Sequence, residues 1–210
     1  MDIEEEQKSR PKSRLKVTEK GNISMKTKSN YVKRLTVGGL LLAAGVVIPW
    51  IFHSLGISEF GKMFLPMHLS VFVAGVFLGQ YYGLGIGLLT PLLNSLFGMP
   101  IFPMNLIMAF ELAAYGFFSG LFTSYKAGKR IRLFGKDLRV ILGLILSMLA
   151  GRIIYAFSLY VAIQLLGLEK LPKPLSIIAS TVTGLPGILL QLILVPTIVH
   201  ILRKIAVFQD

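Results

Sequence analysis

The chain has 210 residues, 54% hydrophobic and 15% charged, with a formal net charge of +12 and no cysteine. Its apolar residues lie in blocks of roughly 15 to 28, about the length that crosses a hydrocarbon core, which excludes an ordinary soluble globule, and the blocks lack the alternation of barrel strands. Missing thiols exclude disulfide frameworks, thiolate metal sites and cysteine nucleophiles, and the basic residues cluster as membrane topology places them rather than as a nucleic-acid surface. Backbone amides cannot go unpaired in lipid, so the expected class is an all-α integral membrane protein.

Residues 1–34 contain ten of the 22 Lys and Arg residues, together with Asp2, Glu4, Glu5, Glu6 and Glu19, and no apolar run. They predict a disordered polar tail on the cytoplasmic side. The block that follows is a full-length span rather than a signal peptide. Spans are expected at 35–54, 64–79, 82–97, 102–125, 139–167 and 175–202. Residues 64–97 would form one very long helix unless broken at Gly79 to Gly83. Without that break, the loop carrying Lys126, Lys129, Arg130, Arg132, Lys136 and Arg139 falls opposite the basic N-terminus, against the positive-inside bias. With it there are six transmembrane helices in a single bundle and both termini are cytoplasmic. The domain reading is a tail at 1–34, a membrane domain at 35–203 and a short cytoplasmic tail at 204–210. Spans two and three are short, and Pro66, Pro91, Pro100 and Pro103 punctuate them, as expected where helices are kinked or begin beside a cavity. Gly75, Gly79, Gly83 and Gly87 recur at four-residue spacing and predict close backbone packing. No internal repeat is evident.

Within the spans, charge is rare and expensive, about 2.5 to 3.5 kcal/mol at the centre of a helix, so a charged residue there turns inward and finds a partner. Glu111 is the one charged side chain between Ile101 and Ser124. It lies ~10 Å below the outer boundary, and Arg152 lies ~20 Å up a core of about 30 Å from the inside, so their depths match. Two roles follow: a structural ion pair, or contact of either residue with a charged part of a solute in an outward-facing pocket. Asn94, Asn105, Tyr115 and Tyr155 fall at similar depth, and Thr181, Thr183 and Gln191 lie on span six. Each is a helix-to-helix hydrogen-bonding residue or a pocket residue, and as a cluster they outline a polar pocket in the outer half. His68, after Pro66, is a further candidate for the solute. His53, His200 and Trp50 read as interfacial residues, and the histidine spacing fits no metal motif, so no metal site is expected. No HExxH, GxSxG or Walker A sequence is present, and Glu111 is the sole acid in a span, so an enzyme and an intrinsic ATPase are both disfavoured.

The series FLPMHLSVFVAGVFLGQYYGLGIGLLTPLLNSLFGMPIFP, followed by MAFELAAYGFFSGL, resembles the substrate-binding S component of energy-coupling factor (ECF) transporters. The resemblance covers roughly 35–203 and is most specific over 64–121. It implies capture of a vitamin, vitamin precursor or metal ion from outside. It also implies docking on a transmembrane coupling subunit and two ATPases, which use ATP, with no cofactor in this chain, and reorientation by toppling in the membrane. The family's AxxxA coupling pattern on the first span has its nearest match here in Gly39 and Ala43, followed by Ala44, and LGISEFGK at 55–62 takes the place of a lid. The resemblance points to a bacterial plasma membrane and a small organic vitamin or precursor. A carboxylated solute such as pantothenate suits Arg152, whereas an aminopyrimidine suits Glu111. A solitary ion-coupled carrier with Glu111 as proton relay, and a membrane scaffold whose polar residues only join helices, are the competing readings.

Overall fold

A computed structural model of the chain describes residues 12–57, 61, 63–98, 100–123, 132, 133, 136–164, 167, 168, 171, 172 and 176–205. Seven helices appear among them: α1 (Lys12–Ser54), α2 (Pro66–Leu78), α3 (Gln80–Ser95), α4 (Met104–Thr123), α5 (Leu138–Gln164), α6 (Ser176–Thr183) and α7 (Leu185–Lys204). Two-residue strands β1 (Arg132–Leu133) and β2 (Lys136–Asp137) pair antiparallel between α4 and α5, an element that the apolar pattern did not predict. The chain divides into two compact units, one ending at Val37 and the other running from Gly38 to Gln209. In the first, α1 already begins at Lys12, upstream of the expected span, and Thr36 Oγ1 donates to the carbonyl of Val32 at 3.0 Å.

Among the described residues, four helical stretches are long and apolar enough to cross a membrane: Tyr31–Ser54, Met104–Thr123, Leu138–Gln164 and Leu185–Lys204. The chain is therefore a multi-pass, helical membrane protein. The short helices α2 and α3 meet at the expected break. Gly79 has φ 105°, a conformation open to glycine, and separates the 13 residues of α2 from the 16 of α3. At about 1.5 Å per residue these helices are roughly 20 and 24 Å long. The expected last span is divided. Pro186 near the start of α7 removes a helical donor, and the helix is interrupted at Gly184 while Gly184 N–H to Ser180 (3.0 Å) and Ile188 N–H to Gly184 (2.9 Å) carry helical bonding across.

The second unit is built around α4, which packs on α2, α3 and α5. Of its most apolar window 61% is buried, against 11% for Tyr31–Ser54 of α1. Close approach comes from glycines that face backbone. A Cβ on Gly83 would overlap the Gly116 carbonyl, one on Gly87 the Leu112 carbonyl, and one on Gly75 both Gly116 and Ser119. Small residues here let helices make backbone-level van der Waals contact, the association force that remains where lipid is as apolar as leucine. Val71, Phe72, Ala74 and Leu112 fill the core beside them.

Candidate functional site

Helical periodicity sets the first wall. Met104, Met108 and Glu111 recur at i, i+4 and i+7 on α4, with Tyr115 one turn further, so all four share one stripe. Arg152 and Tyr155 lie one turn apart on α5, and Gly151 precedes them. A Cβ on Gly151 would overlap the Tyr115 ring. Its absence lets that ring lie against α5, from where the Tyr115 hydroxyl donates to Glu111 Oε1 at 2.7 Å. The same oxygen faces Arg152 Nη1 at 3.3 Å, and the two side chains are unequally covered: Glu111 is 4% exposed and Arg152 19%. The carboxylate is thus turned into the protein and shared by two donors, which a charge in a low-dielectric interior requires.

His68 packs against Tyr115, with ring centroids 5.4 Å apart, and Phe72 packs on the same ring at 5.2 Å. The His68 side chain is buried and its Nδ1 has no hydrogen-bond partner among the described residues. The turn before it is unusual. Leu65, which precedes Pro66, has φ 50° and ψ 51°, a left-handed conformation costly for a branched side chain and disfavoured before proline. Its carbonyl accepts from His68 N–H at 3.0 Å and from Gln191 Nε2 at 3.2 Å. Gly187 on α7 leaves room for the backbone of Met63 and Phe64, so α7 holds the turn that aims His68.

These groups surround a cavity of about 490 Å³, within the range of small-molecule sites. Six predicted polar residues line it: His68, Asn94, Glu111, Arg152, Tyr155 and Thr183. A second cavity of about 200 Å³ is lined by His68, Tyr115, Arg152, Thr181 and Gln191, so His68, Arg152 and Leu65 border both. Asn105 lines neither; its Oδ1 accepts from Leu106 N–H at 2.9 Å at the start of α4. Asn94 is committed on its donor side, giving Nδ2 to the carbonyls of Gly45 (3.1 Å) and Thr90 (3.0 Å). Gly39 and Ala43 are exposed on α1, Ala44 is half-buried, and a Cβ on Gly39 would meet nothing within 4 Å. Residues 58–60 and 62 of the expected lid lie outside the described residues, while Gly61 borders the cavity.

The apolar walls went unread in the sequence. Met67, Met104, Met108 and Phe97 line the cavity, as do Trp50 and His53, which the sequence assigned to the interface. Trp50 meets Phe97 edge-on at 6.4 Å. The signal available was the i, i+4, i+7 spacing of Met104, Met108 and Glu111, which sets apolar side chains beside the buried acid.

A family model described as ECF transporter, substrate-specific component, matches residues 33–199. No curated protein and no solved structure matches the chain. The match covers the helices that build the cavity and most of the chain, so this protein belongs to the substrate-specific components of ECF transporters, and is a membrane transport subunit rather than an enzyme.

Proposed function

We propose that the chain captures a small organic vitamin or vitamin precursor from outside and presents it for uptake driven by ATP hydrolysis in partner subunits. The observation that carries this reading is the cavity of about 490 Å³ bordered by the Glu111–Arg152 pair. It combines apolar walls with a few convergent polar groups, the composition of a small-molecule site. Glu111, Arg152, His68, Asn94, Tyr155 and Thr183 frame the main chamber, and Tyr115, Thr181 and Gln191 back it. Asn105, next to the cavity-lining Met104 in the chain, is a contact for the entering solute.

In this reading the membrane domain makes six crossings with both termini cytoplasmic, α2 and α3 being short ones, in a bacterial plasma membrane. The basic clusters before Leu35 and at 126–139 support that orientation. Gly39, Ala43 and Ala44 form the contact for a transmembrane coupling subunit, which itself carries two ATPases. Native mass spectrometry of the purified full chain tests the capture step, and reconstitution with and without the ATPase module tests the energy source. A retained small molecule and uptake that requires the module are expected. Accumulation by the chain alone under an ion gradient would show a solitary carrier. Folded protein that retains nothing, with stability unchanged across a vitamin panel, would show a scaffold.

A further inference from the structure

Two chemistries suit the polar end of this cavity, an acid bound by Arg152 or a base bound by Glu111. The geometry separates them. Glu111 is 4% exposed and its Oε1 already serves both Tyr115 and Arg152. A base finds only Oε2 of a carboxylate whose other oxygen is already shared, on the less exposed partner of the pair. Arg152 is 19% exposed, borders both cavities, and meets Glu111 through Nη1, while the other nitrogens of a guanidinium fork carry donors of their own. Its planar fork matches a carboxylate in two parallel hydrogen bonds.

The second observation is independent of the ion pair. His68 is buried and borders both cavities, and its Nδ1 has no partner among the described residues. A buried polar atom without a partner is costly; Nδ1 has almost no open surface, so a solute recovers that cost once the ring turns about χ2 toward the cavity that His68 lines. A neutral imidazole protonated on Nδ1 donates there, as a carboxylate oxygen requires. Met67, Met104, Met108, Trp50 and Phe97 complete an adaptable apolar wall.

We propose that the captured solute is an acid whose carboxylate bonds Arg152 and His68 Nδ1, with an apolar body lying along the methionine wall. The inference rests on the capture reading above and narrows its substrate class. A charge-assisted pair of this kind favours the acid over its neutral amide or alcohol by at least about tenfold.

The test uses the full chain in lipid nanodiscs. It is equilibrated with a deproteinised cell extract spiked with matched compounds: nicotinate and nicotinamide, biotin and its amide, pantothenate and pantothenol, and cationic thiamine. Bound compounds are eluted and identified by mass, and carboxylates are recognised by the mass added on carbodiimide coupling to an amine. Retention of an acid, with its neutral analogue held at least about tenfold less, is expected. His68→Leu should lower acid retention about tenfold without lowering the melting temperature, because it removes an unpaired buried atom rather than a bond. A fall in melting temperature with unchanged retention would instead make His68 structural and overturn its assignment. Preference for a neutral compound or a cation overturns the acid assignment while leaving capture intact. Folded protein that holds no compound at all overturns both.

Discussion

Glu111 carries more than one partner, and the consequences differ by partner. Arg152→Met leaves the carboxylate buried without its cation, a change that costs about 3–5 kcal/mol where a buried pair is broken on one side. Adding Glu111→Gln removes the orphaned charge, so the double variant is expected to recover most of that loss in thermal unfolding. Solute retention should stay low in the double variant, since its fold is restored and Arg152 is still missing. Recovery of both stability and retention would reduce the pair to a structural role. Gly151 provides a second residue-scale test. Because a Cβ there would overlap the Tyr115 ring, Gly151→Ala should displace the hydroxyl from Glu111 and lower the melting temperature. Tyr115→Ala clears the space, so in that background the same glycine substitution should cost little. Equal losses in both backgrounds would show that Gly151 acts through something other than the tyrosine. Charge rarity in the sequence made Glu111 and Arg152 legible. Gly151 was not, because a glycine opposite an aromatic ring has no local pattern.

Among the elements, α1 and α3 show how a proline in one helix is answered from another. Pro49 lies inside α1 and has no N–H, so the carbonyl of Gly45, four residues earlier, loses its helical donor. Asn94 Nδ2 on α3 supplies a replacement at 3.1 Å. Asn94→Ala should therefore destabilise by about 1–3 kcal/mol, the cost of an unsatisfied buried acceptor. In a Pro49→Ala background, where residue 49 can donate to Gly45, the same change should cost markedly less. Thermal unfolding of the four members of this cycle checks the coupling, and strict additivity would remove the proline from the explanation. This pairing could not be read from the chain, since 49 residues separate donor and acceptor. The glycine series was partly legible. Its four-residue spacing gave close packing for Gly75, Gly83 and Gly87, but Gly79 serves the turn instead, with φ 105°. The interruption at Gly184 was missed because bonding continues across it, so apolar length alone gives one span.

For the whole molecule, hydrophobic block length made the helical membrane class legible, and two polar residues at equal depth made the pair legible. The cavity's apolar wall was not, because methionine and tryptophan look the same in sequence whether they face lipid, a core or a solute. The same ambiguity surrounds α1, and there the structure separates two faces. Gly45 faces inward, where a Cβ would overlap Ser70 Oγ, whereas Gly39 and Ala43 face outward with Leu40 and Val47. Only 11% of the apolar window of Tyr31–Ser54 is buried. A small-residue pair at four-residue spacing on an uncovered helix allows another helix to approach at backbone distance. If that helix belongs to the coupling subunit, bulk at these positions should act on assembly and not on folding. Gly39→Leu and Ala43→Leu should leave the melting temperature and solute retention of the isolated chain unchanged. They should lower co-purification with the coupling subunit and ATPases, and ATP-dependent uptake with it, by at least about fivefold, which at about 1 kcal/mol is a modest loss of helix packing. Gly45→Leu, two residues beyond Ala43, should do the reverse, lowering folded yield before any partner is present. Undiminished assembly by the two outward variants would assign that face to lipid.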